Sequence, residues 1–214
     1  MDMDEHEQGE RVRAWLRANG GSILTGIAVG LAAIFSYQWW QQSQIGKKLD
    51  AANNYQALVD AVERKDVDAA VQLSAGIADR MGNSPYAALA SLRVAGQRAG
   101  ADQAAAIEDL SKAAQTKDAP AIAALAKLRQ ARLELAAGKP DAALSLLNSI
   151  PDGQYAGLVQ EVRGDALLAQ GKSAEAGEAW KSALTELGTG APNRFLIELK
   201  LADLGLSDVK KPEA

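Results

Sequence analysis

The sequence contains no cysteine, which removes a disulfide framework, a thiolate metal site, a cysteine nucleophile and a cysteine-borne lipid anchor from consideration. Histidine occurs once, as His6 in an acidic stretch. Neither a histidine-based triad nor a zinc centre has ligands to draw on, and His6 is expected to be a solvated tail group. Aromatics make up 5% of the chain, with only two phenylalanines. A core must then be assembled from alanine and aliphatic side chains, which favours close helix-on-helix packing and an all-α fold. No basic stripe interleaved with aromatics appears, and the formal charge of −4 is small for 214 residues. Nothing here could neutralise a phosphate backbone, so nucleic acid is excluded as a partner. No cofactor and no metal site are expected.

Charge is also locally absent: no charged residue lies between Arg17 and Lys47. Within that gap "GSILTGIAVGLAAIFSYQWW", residues 21–40, supplies the roughly twenty residues that cross about 30 Å of hydrocarbon. Its large apolar side chains, Ile23, Leu24, Ile27, Val29, Leu31, Ile34 and Phe35, contribute roughly −0.3 to −0.6 kcal/mol each to insertion. The run is longer than an ordinary buried helix and apolar all round, unlike the Ala-rich helices after it. It ends in aromatics rather than the small residues a signal peptidase needs, so it is expected to remain attached. Arg11, Arg13 and Arg17 precede the span, which predicts a cytoplasmic N-terminus. Lys47 and Lys48 on the far side weaken that bias, but a long following domain translocates largely regardless of its charge. In a bacterium the rest of the chain would face the periplasm.

Trp15 stands before the span and Tyr37, Trp39 and Trp40 close it, the placement of interfacial anchors that fix a helix's depth among membrane lipids. Ser22, Gly26 and Gly30 recur every four residues and form a narrow face on which another membrane helix, or a second copy of this one, can approach closely. The organisation predicted is a cytoplasmic tail over 1–20, a transmembrane helix over 21–42, a polar juxtamembrane neck over 43–48 and a periplasmic domain over 49–214.

From Leu49 the chain reads as successive helices, broken at "RKDVD", "GNSP", "RAGAD", "TKDAP", "AGKPD", "PDGQY", "AQGKS" and "GTGAPN". Nothing alternates with period two. Ser84 before Pro85 and Pro140 before Asp141 mark helix starts, and Gly138 and Gly171 mark helix stops. "GKPDAALSLLNSI" aligns with "GKSAEAGEAWKSA" at an offset of 33 residues. The offset pairs Gly138 with Gly171, Ala143 with Ala176, Leu147 with Trp180 and Ile150 with Ala183. Small Ala131 and Gly164 each precede the turn glycine by seven positions, where the 34-residue tetratricopeptide repeat brings helices closest. A weaker copy places Ala106, Leu110 and Ala113 in equivalent roles, "YQALVDAVERKDVDAAVQLSAGIAD" forms an earlier hairpin, and "PNRFLIELKLADLGL" is left as a cap. The prediction is a tetratricopeptide-like α-solenoid of three to four helical hairpins with a C-terminal capping helix. Trp180, at the large position of its repeat, is expected in the core.

Arg93, Arg129, Arg132 and Arg163 fall on the first helices of hairpins, the helices that line the inner surface of such a superhelix, and are candidates to meet a partner's carboxylates. Glu161 and Asp165, four apart on one helix, have the spacing of an acid/base pair, but no nucleophile accompanies them. The chain is not expected to be an enzyme.

The acidic tail with "RVRAWLRANG", the span ending in aromatics, "YAALASL", "LRQARLELAAGKPDAAL" and "VRGDALLAQGKSAEAGEAW" together resemble the YfgM family, the ancillary subunit of the bacterial SecYEG translocon, over nearly the whole chain. The resemblance implies a single-pass inner-membrane protein with a periplasmic tetratricopeptide-like domain. It also implies association with SecYEG and with the membrane-anchored periplasmic chaperone PpiD, and a part in passing emerging polypeptides to periplasmic chaperones. It carries no catalytic residue over. A self-associating envelope scaffold that never touches secretory polypeptides is the other reading open to this sequence.

Overall fold

The computed structural model describes residues 2–82 and 84–206, except that the side chains of residues 2–8, 10, 12, 44 and 47–51 lie outside the description. The expectation for His6, and the last eight residues of the expected periplasmic domain, therefore lie outside the described residues. The described residues form nine α-helices and no strand: α1 (Asp2–Glu63), α2 (Val67–Met81), α3 (Pro85–Arg98), α4 (Gln103–Ala114), α5 (Pro120–Ala136), α6 (Pro140–Asn148), α7 (Ala156–Ala169), α8 (Ser173–Glu186) and α9 (Arg194–Asp203). Two compact units are distinguished, residues 1–50 and Ala51–Ala214.

In the first unit, Arg13–Ser43 is long and apolar enough to cross a membrane. Two of its polar side chains turn back onto their own helix. Asn19 Nδ2 donates to the Trp15 carbonyl at 3.0 Å and Thr25 Oγ1 to the Gly21 carbonyl at 2.8 Å, each pairing with a carbonyl one turn back.

In the second unit the leading limb of the first hairpin is the end of α1 and not a helix of its own, and no proline interrupts it before the turn at Lys65. Local chemistry sets the later boundaries. Asp66, Ser84 and Asp102 each accept a hydrogen bond from the backbone N–H three residues on, satisfying a donor that the first turn leaves unpaired. Pro85, Pro120 and Pro140 occupy first turns, where no N–H is needed. Gly138 and Gly171 adopt φ values of 74° and 78°, a left-handed conformation that ends α5 and α7 and is nearly free of cost only for glycine.

Four buried clusters follow one another along the unit. Leu58, Ala61, Ala70, Ile77 and Val94 form the first; Leu92, Ala106, Leu110, Ala113 and Ala126 the second; Leu128, Ala131, Ala143, Leu147 and Val162 the third; and Ala176, Trp180, Ala183, Ile197 and Leu201 the fourth. Each draws on consecutive helices, as expected when every repeat buries its apolar face on its neighbour.

The 33-residue offset acquires a physical meaning in the third and fourth clusters. Ala131 and Leu147 share one cluster. One repeat later Gly164 lies against Trp180, so closely that a Cβ on Gly164 would overlap the indole. The larger side chain is accommodated in part by removing the last carbon of the smaller one, which clears the space the indole edge occupies. Helix α9 covers the last cluster with Ile197 and Leu201 but turns Phe195, 74% exposed, to solvent.

Candidate partner-binding groove

Helices α3, α5 and α7 are the first helices of successive hairpins and stand next to one another. They carry the four arginines singled out from the sequence, and their surroundings separate these into three kinds. Arg93 and Arg129 line one cleft of about 440 Å³, together with Tyr55, Leu89, Gln97 and Leu125. Arg93 is held there by α1: its Nε donates to Tyr55 Oη at 3.0 Å and its guanidinium carbon lies 5.9 Å from the Tyr55 ring centroid. The phenol thus orients the cation through both its hydroxyl and its ring face. Tyr55 is braced in turn by Tyr86, with ring centroids 6.0 Å apart. Gln97 Nε2 donates to the Val62 carbonyl at 3.0 Å, meeting an acceptor in the last turn of α1. Arg129 is exposed, and among the described residues it forms no hydrogen bond or ion pair.

Arg132 belongs to the fold. Its Nη2 lies 3.4 Å from Glu161 Oε2, and the same carboxylate oxygen accepts from Asn193 Nδ2 at 2.5 Å. Glu161 is buried, and a buried carboxylate needs such partners because leaving water costs it several kcal/mol, on the order of 1–3 per lost hydrogen bond. Arg163 lines a different cavity of about 230 Å³ at the α6–α7 turn, beside Asn148 and Gln154. Its Nε is buried and has no hydrogen-bond partner among the described residues. The four arginines are therefore not one binding row.

Glu161 and Asp165 are likewise spoken for. Asp165 Oδ1 accepts from Lys200 Nζ at 2.6 Å and from Trp180 Nε1 at 3.1 Å, and the indole N–H also reaches the Glu161 carbonyl at 3.2 Å. Their four-residue spacing serves to tie α7 to α5, α8 and α9. Tyr55, Gln97, Asn193 and Lys200 escaped the sequence reading, because each works through a partner roughly 30 or more positions away, and no local pattern marks such pairs.

A further charged cluster links α3 and α4. Arg98 Nη1 lies 3.0 Å from Asp109 Oδ2, while Lys112 Nζ lies 2.8 Å from Glu108 and 3.7 Å from Asp109. Burial pushes the Asp109 carboxyl above its ordinary value, outweighing the pull of Arg98 and Lys112. The hydrogen bond between Glu108 and Lys112 lowers the first and raises the second.

In the first unit Trp15, Tyr37, Trp39 and Trp40 are all exposed, with Tyr37 and Trp40 rings 6.2 Å apart. Ser22 is exposed, and a Cβ at Gly26 or Gly30 would meet nothing within 4 Å, so this face is open to a second helix.

Among the described residues, one long apolar helix followed by successive helical hairpins, the last two carrying small/large contact pairs 33 residues apart, defines a helical-repeat protein of the tetratricopeptide class. The chain belongs to the tetratricopeptide repeat-like domain family, whose profile matches residues 13–206. It is similar to the ancillary SecYEG translocon subunit of Escherichia coli (strain K12), 28% identical over 205 residues that cover 95% of this chain and 98% of that protein. It is also similar to proteins of the same name from Aggregatibacter actinomycetemcomitans, 25% identical over 94% of this chain and 98% of the relative, and from Haemophilus influenzae, 21% identical over 85% and 89%. The resemblance drawn from the sequence motifs is borne out by these relatives.

Proposed function

We propose that this chain is a non-enzymatic, single-pass inner-membrane protein that associates with the SecYEG translocon through its apolar helix. In this reading it presents its repeat unit in the periplasm and passes emerging polypeptides to a PpiD-like chaperone. The observation that carries the reading is the extent of similarity to the translocon subunits: it runs through the apolar helix as well as the repeats, over 98% of the Escherichia coli protein's length. Residues 1–20 serve as the cytoplasmic tail, 21–42 as the span, 43–48 as the neck and 49–214 as the periplasmic domain. Trp15, Tyr37, Trp39 and Trp40 anchor the span, and a helical-repeat surface offers the extended contact that adaptors use.

The test is affinity purification of a tagged full-length chain from a bacterial membrane in mild detergent, combined with protease digestion of spheroplasts. Recovery of translocon subunits and a PpiD-like chaperone, with the repeat unit digested from the periplasmic side, is expected; recovery of neither partner removes the centre of the proposal. The open Ser22/Gly26/Gly30 face favours a second reading, a scaffold that self-associates without touching secretory chains. Crosslinking to a stalled secretory polypeptide separates the two: a crosslink supports the adaptor, whereas loss of dimers in Gly26→Leu with no client crosslink supports the scaffold.

A further inference from the structure

We propose that the cleft between α1, α3 and α5 receives an acidic peptide segment of a partner protein, with its carboxylates on Arg93 and Arg129 and its neighbouring aliphatic side chains on Leu89, Leu92 and Leu125. This rests on the adaptor reading above and assigns the chemistry of the partner.

Charge complementarity commits the site to that occupant. The chain carries 27 acidic and 23 basic residues, yet the residues around this cleft include two arginines and no carboxylate. Elsewhere in the repeat unit three arginines are matched internally: Arg98 meets Asp109, Arg132 meets Glu161 and Arg194 meets Glu198, at 3.0, 3.4 and 3.2 Å. Arg93 and Arg129 meet no carboxylate among the described residues. Arg93 uses only its Nε internally, on Tyr55 Oη, which leaves its Nη atoms as a fork suited to bidentate binding of a carboxylate. Because Tyr55 already fixes that guanidinium, less side-chain freedom is lost on binding.

The rest of the lining is aliphatic. Leu92 is buried, while Leu89 and Leu125 are partly accessible, so the cleft offers apolar contact that a bare phosphate or nucleotide would leave unused. Its volume of about 440 Å³ falls within the range of about 300–1,000 Å³ typical of ligand clefts. A segment that alternates acidic with aliphatic residues satisfies both features.

Three fluorescein-labelled dodecapeptides test this, alternating leucine with glutamate, glutamine or lysine, titrated against the full-length protein in mild detergent by fluorescence anisotropy. The glutamate peptide is expected to bind at least about tenfold more tightly than the glutamine peptide and to weaken as salt is raised from 50 to 300 mM, which shortens the screening length from about 14 to about 6 Å. Arg129→Glu and Arg93→Gln are each expected to weaken it by about tenfold or more. Lys172→Glu changes the net charge as much as Arg129→Glu does, on an exposed turn outside the cleft, and is expected to change affinity by less than about twofold. Circular dichroism confirms that each variant is folded; Arg129 has no internal partner to lose. Equal affinity for the glutamate and glutamine peptides, or an unchanged affinity in folded Arg129→Glu, overturns the assignment. Translocon co-purification is measured on the same preparations. If it persists while the glutamate peptide fails to bind, the inference falls and the adaptor reading stands. If the wild-type chain recovers no translocon, the adaptor reading falls whatever the peptides do.

Discussion

Replacing Gly164 with alanine adds a Cβ 2.9 Å from Trp180 Cε2 and nearer still to Cδ1 and Nε1. The indole cannot swing aside without cost, because its N–H is shared between the Glu161 carbonyl and the Asp165 carboxylate and Trp180 is only 1% exposed. Overpacking of this kind costs about 1–3 kcal/mol, whereas alanine's better helix propensity returns up to about 1 kcal/mol. The net loss expected is about 1–2 kcal/mol, and at about 2–4 °C per kcal/mol for a unit of this size the melting temperature falls by about 2–8 °C. In a Trp180→Leu background the same site resembles the preceding repeat, where Ala131 already coexists with Leu147. There Gly164→Ala should be neutral or stabilising by up to about 1 kcal/mol, so the cycle should show a coupling of about 2 kcal/mol. The assay is thermal and urea unfolding of the four full-length proteins in mild detergent, followed by circular dichroism at a helical wavelength. Equal effects of Gly164→Ala in both backgrounds would refute the volume-exchange account of the two repeats.

Glu161→Ala leaves Asn193 and Arg132 without their shared acceptor and should lower stability by about 1–3 kcal/mol, with Glu161→Gln, which keeps an acceptor for Asn193, losing less; urea midpoints rank the two. Asp109 gives a pH signature of unusual sign. Its folded carboxyl holds its proton at higher pH than it does unfolded, so its contribution is most favourable below the unfolded value of about 3.9 and declines as pH rises from there through the raised folded value. The stability of Asp109→Asn minus that of wild type should therefore grow as pH rises through that window, and a flat or falling difference measured by urea unfolding would contradict it. Replacing Trp39 and Trp40, 77% and 57% exposed, together by alanine should change the depth of the span, read from quenching of Trp15 by brominated lipids over the emission of Trp180, which is buried in the repeat core. The melting of the repeat unit should move by less than about 0.5 kcal/mol; a larger loss would place those rings in its core.

How much of this was legible in the sequence depends on the range of the interaction. The apolar run needed only length and hydropathy. Every break between helices coincides with a turn-forming cluster, because capping by Ser84 or Asp102 and the positive φ of Gly138 and Gly171 are settled within three or four residues. The repeat was legible since equivalent helices meet equivalent neighbours at a fixed offset, as at Ala131/Leu147 and Gly164/Trp180. The continuation of α1 to Glu63 was harder to foresee, because the neck contains Gly46, which disfavours a helix, and nothing that demands one.

Within the candidate groove, sequence placed all four arginines on first helices but could not tell them apart. The distinction rests on partners distant in the chain: Glu161 lies 29 positions from Arg132 and Tyr55 lies 38 from Arg93, and only packing brings them within reach. Composition, hydropathy and period thus determined by themselves that this chain is an apolar helix joined to a helical-repeat unit, with no cysteine and a single histidine. Only the tertiary structure decided which cations are neutralised inside the fold and which stay free at a cleft, since ion pairing depends on distance in space and falls away over a few ångströms of water.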